Sequence, residues 1–308
     1  MPHALLTGGT PGLAAAVVRD AAAVATGPLG ALSHDELGVI VDGLADPLQP
    51  VVAVALSSTC LGLRTPLRAA LDVLQQRHAR ATALCRKMGT SCAELCGAER
   101  LLWYRKRLTA ADMATLGMIL RTRGLPRLRE LALHGSGLGD TGVQALCDGL
   151  GQGVAPSLRN LHLFDNSIGP AGAEAVAAAL GRGAMPKLEQ LHLDENPIGN
   201  QGVAALAAPL RKLPTLKLLY LGSSGIGDEG VASLVADLGK DDFKVLVRIF
   251  LDGNNITEAA CATLVSAIDG GRMPHIWLVH LDGNRAMSDA ARRAVFDAAS
   301  RARARRSS

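Results

Sequence analysis

The chain has 308 residues, of which 48% are apolar, 19% charged and 3% aromatic. This composition excludes global disorder and a collagen-like chain, and small aliphatic side chains must fill most of the core. The net charge of +4 is unevenly distributed, because residues 131–290 carry seventeen acidic and eleven basic side chains between two basic ends. The length allows one large domain or two of ordinary size.

The first segment, residues 1–27, is rich in alanine and glycine and nearly uncharged, which predicts a flexible tail. The first basic residue is Arg19, so no secretory leader is predicted. Six cysteines are spread along the chain without a dense framework, which favours reduced thiols. We therefore expect an intracellular, cytoplasmic protein without a membrane span.

Residues 28–97 do not repeat and have the pattern of several helices. Ser33, with Glu36 three residues later, has the spacing of a capping box at a helix start. The short apolar segments of residues 28–67 are similar to an F-box, a three-helix motif, and that resemblance implies docking to a ubiquitin-ligase adaptor. The alternative is that residues 28–97 form a helical cap on the domain that follows.

Residues 98–298 contain seven copies of a repeat of about 30 residues, which start at residues 98, 128, 158, 188, 216, 246 and 276. The first half of each copy alternates apolar and other residues, which is typical of a short strand. The second half places apolar residues four positions apart, as in Gly172, Val176 and Leu180, and this predicts one face of a helix. Asp140 and Asp228 stand where helices begin, the favourable end of the helix dipole for an acidic residue.

Residues 158–169 and 188–199 both read L-x-x-L-x-L-x-x-N-x-I-G. These frames, with the helical pattern after them, resemble leucine-rich repeats of the ribonuclease-inhibitor-like class. The resemblance implies an α/β solenoid of about seven strand–helix units. Because parallel strands pack about 4.8 Å apart and helices about 8–10 Å apart, stacked units should curve into a horseshoe with the strands on its concave face.

Four asparagines fall at the turn after the strand, and serines take the same place in two copies. Their side chains are expected to hydrogen-bond turn backbone, which is a structural role rather than a catalytic one. The turn residues are Asn166, Asn196, Asn254 and Asn284, with Ser136 and Ser224 as the two replacements.

Side chains between the strand leucines should point to the concave face, where the sequence clusters histidines, aromatic residues and aspartates. We predict that this stripe binds a protein partner. Its members are His134, His162, Phe164, His192, Asp194, Tyr220, Phe250, Asp252, His280 and Asp282. The aspartates favour a basic partner, and histidines that titrate near pH 6.5 predict binding that depends on pH.

The predicted function is that of a non-enzymatic interaction protein without cofactor or metal. His162 and His192 would need further ligands to hold zinc, and an open ladder of histidines and aspartates is not a closed catalytic pocket. Two alternatives stay open. The F-box-like segment implies a substrate-recognition subunit of a ubiquitin ligase. The I-G-x-x-G repeats also resemble the Ran GTPase-activating protein, which implies a small GTPase as partner and GTPase activation as function.

The end of the chain, residues 299–308, is predicted to be a basic tail. Such a tail is compatible with a solubilising segment, a phosphate-seeking arm or a nuclear localisation signal, so a nuclear location stays open beside the cytoplasmic one. No aromatic residue is interleaved among its arginines, so specific nucleic-acid binding is not predicted.

Overall fold

The computed structural model describes residues 46–51, 68–239 and 241–306. The chain divides into two compact units, Met1–Cys96 and Gly97–Ser308. The predicted tail of residues 1–27 and the capping box at Ser33 lie outside the described residues. The F-box-like segment also lies outside them, apart from residues 46–51.

The first unit contains the helices α1, Arg68–Met88, and α2, Cys92–Gly97. Helix α1 buries one face around Leu74, and near its end the Sγ atoms of Cys85 and Cys92 are 3.7 Å apart. Burial, assisted by Cys92, raises the pKa of the Cys85 thiol to about 12, so that this thiol stays protonated. Within the described ranges, no three or more metal-binding side chains are grouped to hold an ion.

The second unit consists of seven strands, each followed by a helix. The strands form one parallel sheet in chain order. They are β1 Arg100–Leu102, β2 Glu130–Ala132, β3 Asn160–His162, β4 Gln190–His192, β5 Leu218–Tyr220, β6 Arg248–Phe250 and β7 Leu278–His280. The helices are α3 Ala110–Thr122, α4 Gly139–Cys147, α5 Pro170–Gly181, α6 Gly199–Arg211, α7 Asp228–Val235, α8 Glu258–Asp269 and α9 Asp289–Ala304. The predicted α/β solenoid of about seven repeats is confirmed.

The strand leucines form the core between sheet and helices. Leu131, Leu161, Leu191 and Leu219 pair in register across neighbouring strands, and none is more than 2% exposed. The register follows the sequence repeat, with a step of 28 residues only between β4 and β5. In the first repeat Trp103 takes a leucine position and is 5% exposed. The repeated leucine pattern is therefore a stacked aliphatic core.

The glycine in the first turn of several helices allows close packing against an isoleucine. A Cβ atom added at Gly202 of α6 would lie 2.3 Å from Cγ2 of Ile198, so only glycine fits here. The same isoleucine is fully buried, which explains why glycine and isoleucine recur together in the sequence. No helix in the described part of the chain is long and apolar enough to cross a membrane.

The turn asparagines connect each repeat to the one before it. The Oδ1 atom of Asn196 accepts hydrogen bonds from the backbone N–H groups of Asn166 and Ile168, at 2.9 and 3.0 Å. Its Nδ2 group donates to the carbonyl oxygens of Leu163 and Leu193. Asn166, Asn254 and Asn284 make the corresponding bonds to the repeats that precede them. These side chains are buried, and they satisfy backbone groups that water does not reach.

Serine performs only part of this role. The Oγ atom of Ser224 donates to the carbonyl oxygen of Gly222, at 3.0 Å. In the preceding repeat the backbone N–H of Ile198 bonds to the carbonyl oxygen of Asn196, at 2.7 Å, instead of to a side chain. A serine at the turn therefore shifts the bonding of the repeat before it.

Polar residues at helix starts cap the helix of the next repeat. The Oδ1 atom of Asp140 in α4 accepts from the backbone N–H groups of Gly169 and Gly172, at 2.7 and 2.9 Å, at the start of α5. Asn200 and Asp228 accept in the same way from Gly227 and Thr257 of the following repeats. The sequence predicts that such residues interact with the helix that they begin. In the structure their hydrogen bonds join that helix to the start of the helix in the next repeat.

The predicted basic tail of residues 299–308 includes the end of a helix. Helix α9 continues through residue 299 to Ala304, so the expected boundary falls inside a helix. Arg301 forms a salt bridge with Asp269 of α8, at 2.7 Å, and Arg305 bonds to the same carboxylate, at 3.2 Å. The segment that carries these arginines is part of the last repeat, because alanines of the same helix, Ala298 and Ala302, are buried.

Candidate functional site

The sheet face that points away from the helices, here called the open face, has a ladder of aromatic rings. In its inner row the rings of His162, His192, Tyr220, Phe250 and His280 follow one another on consecutive strands. Their centroids are 4.3, 3.8, 4.3 and 5.9 Å apart in this order. The planes of Tyr220 and Phe250 are only 2° from parallel. His192, Tyr220 and Phe250 therefore form one stack, and the rings of His162 and His280 lie tilted at its two ends.

A second row lies two residues further along the chain in each repeat. The rings of Tyr104, His134 and Phe164 are stacked, with centroids 4.9 and 4.1 Å apart. His134 lies 6.3 Å from His162, and Phe164 lies 6.4 Å from His192, so the two rows touch each other. The eight rings form a continuous surface, which we call the ring ladder.

The ladder follows directly from the repeat register. His162, His192 and Tyr220 are register partners in β3, β4 and β5, and Phe250 and His280 continue the same line. Rings at equivalent positions of parallel strands start about 4.8 Å apart, a distance that suits stacking. In the first two repeats the inner position holds Leu102 and Ala132, so there the ring stack runs in the outer row instead.

The predicted aspartates lie beside the C-terminal half of the ring ladder. His280 contacts Asp252 at 3.3 Å and Asp282 at 3.0 Å, and Arg292 lies 3.5 Å from Asp282. Asp194 differs from them, because its Oδ1 atom is buried without a hydrogen-bond partner, and His192 Nδ1 is 4.0 Å away. Asp194 thus has an oxygen atom without a hydrogen-bond donor on the open face.

Burial determines how the histidines of the ladder titrate. It lowers the pKa of His134 and His162, and it lowers that of His192 to about 3. His192 is therefore neutral near pH 6.5, and the pKa values of His134 and His162 lie below this pH, so the pH dependence expected of these rings moves to lower pH. The sequence pattern placed them on an open face, but the neighbouring rings shield them from water. Burial also raises the pKa of Asp194, to about 6.

A depression of about 150 Å³ opens at Gly222, where the outer row has no side chain. Asp194 and Asp252, which follow the neighbouring strands β4 and β6, flank this gap. Tyr220 and Phe250 contribute to its wall. The depression joins aromatic and acidic groups on the open face.

Two features near the strand starts are not among the predicted site residues. Glu189 binds both Arg159 and Lys217 from the neighbouring repeats, which gives a ladder of alternating charge. The sequence signal for this charge ladder is that Arg159, Glu189 and Lys217 occupy the same position in three consecutive repeats.

The second feature is Trp277, which is 40% exposed. The guanidinium groups of Arg248 and Arg303 lie 4.4 and 5.0 Å from its ring centroid.

Comparison with known proteins agrees with the repeat geometry. A family model described as leucine-rich repeat matches residues 125–147, 154–177, 184–207 and 212–235. These four segments are thus leucine-rich repeats, and the fold of the second unit is an α/β leucine-rich repeat solenoid. No similar sequence was found among curated proteins.

Solved structures with similar folds include a complex of Rad7 and Elc1 in yeast, at 15% identity and a TM-score of 0.43, over 61% of this chain and 42% of that one. Another is a complex of TLR13 with ssRNA13, at 16% identity and a TM-score of 0.29, over 58% of this chain and 28% of that one. The chain therefore spans less than half the length of either.

Proposed function

We propose that the protein is a non-enzymatic interaction module that binds a protein partner on its open face. The observation that carries this proposal is the ring ladder, eight rings in continuous contact across all seven repeats. Aromatic side chains supply most of the binding energy of many protein interfaces. A surface of this length suits an extended segment or a convex face of a partner.

The stacked arrangement supports binding because the rings are already ordered. A side chain that loses rotamer freedom on association costs about 0.5–1.5 kcal/mol. Tyr220 and Phe250 are held face to face in the free protein, so this cost is reduced for them. Both remain partly exposed and can contact a partner through their edges. The ladder is thus a pre-formed contact surface.

The test is to identify proteins that co-purify with the full chain from its native cell, and to repeat the capture with Phe164→Ala. Phe164 lies on the ring ladder but does not belong to the leucine core. A partner that is captured by the wild type and lost with Phe164→Ala supports the proposal. A partner that is retained by Phe164→Ala and by Tyr220→Ala with Phe250→Ala contradicts it.

Substrate recognition for a ubiquitin ligase is the first alternative, and it rests on the F-box-like residues 28–67. Pull-down of the ligase adaptor with the full chain tests it directly. We otherwise propose that residues 28–97 cap the first repeat, in which case deletion of residues 1–97 should cause aggregation. A soluble and cooperatively folded fragment 98–308 would favour an independent N-terminal domain and, with it, the ligase role.

GTPase activation is the second alternative, and it rests on the likeness of the repeats to the Ran GTPase-activating protein. A single-turnover GTPase assay with small GTPases tests it. Acceleration of hydrolysis by the wild-type chain would replace the non-enzymatic proposal. The protein's intracellular location, cytoplasmic or nuclear, belongs to the same proposal, and fluorescence microscopy of the tagged full chain tests it.

A further inference from the structure

The gap in the outer row of the open face is a defined feature of the backbone. The N–H of Glu195 donates to the carbonyl oxygen of Gly222, and the N–H of Ser223 donates to that of Asp252. These bonds place Asp194, Gly222 and Asp252 at equivalent positions just after three consecutive strands. With strands about 4.8 Å apart, the two aspartates stand roughly 10 Å apart across a position that has no side chain. We call this gap the Gly222 notch.

The charges around the notch are of one sign. Asp194, Glu195 and Asp252 line it, and none of the seven described residues that line it is basic. Arg248, the nearest basic residue on β6, lies over the ring of Trp277 instead. Asp252 shares His280 with Asp282, whereas Asp194 has a buried Oδ1 atom with no donor. The notch thus holds a carboxylate with one buried oxygen atom that has no hydrogen-bond donor.

The walls of the notch favour one kind of cation. Tyr220 and Phe250 line it with stacked rings, so an entering group meets flat aromatic carbon beside the carboxylates. A guanidinium is planar, has five N–H donors and is weakly hydrated, so it can bond to carboxylates on two sides and lie against rings. An ammonium is a compact and strongly hydrated charge that uses such a site less well.

We infer that the Gly222 notch receives an arginine side chain of the protein partner, with the guanidinium between Asp194 and Asp252. This inference rests on the proposed function, because it assigns the chemistry of the partner at one position of the same face. It predicts that the segment of the partner bound over β4 to β6 is basic. The donors of the guanidinium would bond to the Asp194 Oδ1 atom, which has no hydrogen-bond donor in the free protein.

The test uses the full chain labelled with ¹⁵N and a probe peptide, acetyl-Gly-Gly-Arg-Gly-Gly-amide, in an NMR titration. The matched probe replaces arginine by citrulline, which is neutral and has almost the same shape. The expected result is that amide shifts centre on Gly222 and Ser223 with the arginine peptide and are absent with the citrulline peptide. A lysine peptide should bind several-fold more weakly.

Three variants locate the effect. Gly222→Leu fills the notch, and its backbone is free of left-handed strain because Gly222 has no positive φ. An added Cβ there would lie 3.0 Å from the Asp252 carboxylate oxygens, the movable end of a side chain. Asp194→Asn keeps the shape and removes the charge. The control Asp237→Asn removes an exposed charge elsewhere, at a left-handed position (φ 49°) that asparagine tolerates.

Gly222→Leu and Asp194→Asn should weaken binding of the arginine peptide at least tenfold, and Asp237→Asn should leave it unchanged. Shifts that are equal for citrulline, or that spread over Asp165 and Asp282 and survive both notch variants, would overturn the inference. The proposed function has a separate readout. A partner that is lost with Phe164→Ala but bound normally by Gly222→Leu keeps the open face as the binding site and refutes the notch.

Discussion

The imidazole of His192 lies against the phenol ring of Tyr220, with centroids 3.8 Å apart and planes 11° from parallel. This contact joins β4 to β5, where the repeat is two residues shorter than elsewhere. The shorter repeat therefore leaves the stack uninterrupted. Because each ring packs against its neighbour, truncation of the ladder should lower the stability of the protein as well as its affinity for a partner.

The variant Tyr220→Ala with Phe250→Ala should weaken partner binding by about 2 kcal/mol or more, roughly 30-fold in affinity, because it removes two adjacent anchors. The sequence alone predicts no loss of stability. The stacking changes this expectation to a loss of about 0.5–1.5 kcal/mol for the pair. Titration calorimetry with the captured partner and thermal unfolding measure the two effects.

The control for that variant is Trp277→Ala, which removes an aromatic side chain outside the ladder and should leave affinity unchanged. If the double variant binds like the wild type while Arg121→Glu with Arg123→Glu abolishes binding, the basic surface of α3 is the binding site instead.

The core register predicts the effect of Leu191→Ala. Leu191 is fully buried on β4, so its truncation should lower the free energy of unfolding by about 2–5 kcal/mol. Leu102→Ala is the matched control, because Leu102 is 42% exposed and its truncation should cost well under about 1 kcal/mol. Urea denaturation compares them, and an unchanged midpoint for Leu191→Ala would show that the register is wrong.

The bond between Asp140 and the next repeat gives a third prediction. Asp140→Ala leaves the N–H groups of Gly169 and Gly172 without their acceptor, and should lower stability by about 1–2 kcal/mol. Asp140→Asn should retain most of this stability, because Asn200 makes the equivalent bond to Gly227. Hydrogen exchange should show faster exchange at the start of α5 in Asp140→Ala alone. Equal loss in both variants would assign the effect to charge rather than to capping.

The pKa of His192 predicts how stability changes with pH. The ordinary pKa of histidine is 6.5, and burial lowers that of His192 to about 3 in the folded protein. The contribution of His192 to the free energy of unfolding is therefore fully present above pH 6.5 and is lost as the pH falls towards 3. Asp194 opposes this trend, because its raised pKa of about 6 means that protonation below pH 6 relieves a buried charge.

The variant His192→Phe keeps a ring in the stack and removes the titration. Above pH 7 the denaturation midpoint of this variant should depend on pH as that of the wild type does. Below pH 6.5 the midpoint of the variant should fall less steeply than that of the wild type. Parallel profiles between pH 4 and 7 would contradict the lowered pKa.

The sequence predicts the fold because one strand–helix unit is repeated seven times, and each leucine position has the same environment in every repeat. It also predicts which residues share the open face, since parallel register brings equivalent positions together. It does not predict the neutral state of His192, because that depends on rings from neighbouring strands. It likewise misses the hydrogen bond that the Gly169 N–H donates to Asp140, 29 positions earlier in the chain. The helical end of the chain is missed as well, because the salt bridge between Arg301 and Asp269 joins two different helices.

The two tryptophans of the chain stand in the first and the last repeat, and they differ in their surroundings. Trp103 is 5% exposed, whereas Trp277 is 40% exposed between two guanidinium groups. Their fluorescence should therefore differ, with a blue-shifted emission from Trp103 and a red-shifted emission from Trp277. With Trp277→Phe and Trp103→Phe as single-tryptophan forms, the two ends of the solenoid can be observed separately as it unravels, without any attached dye.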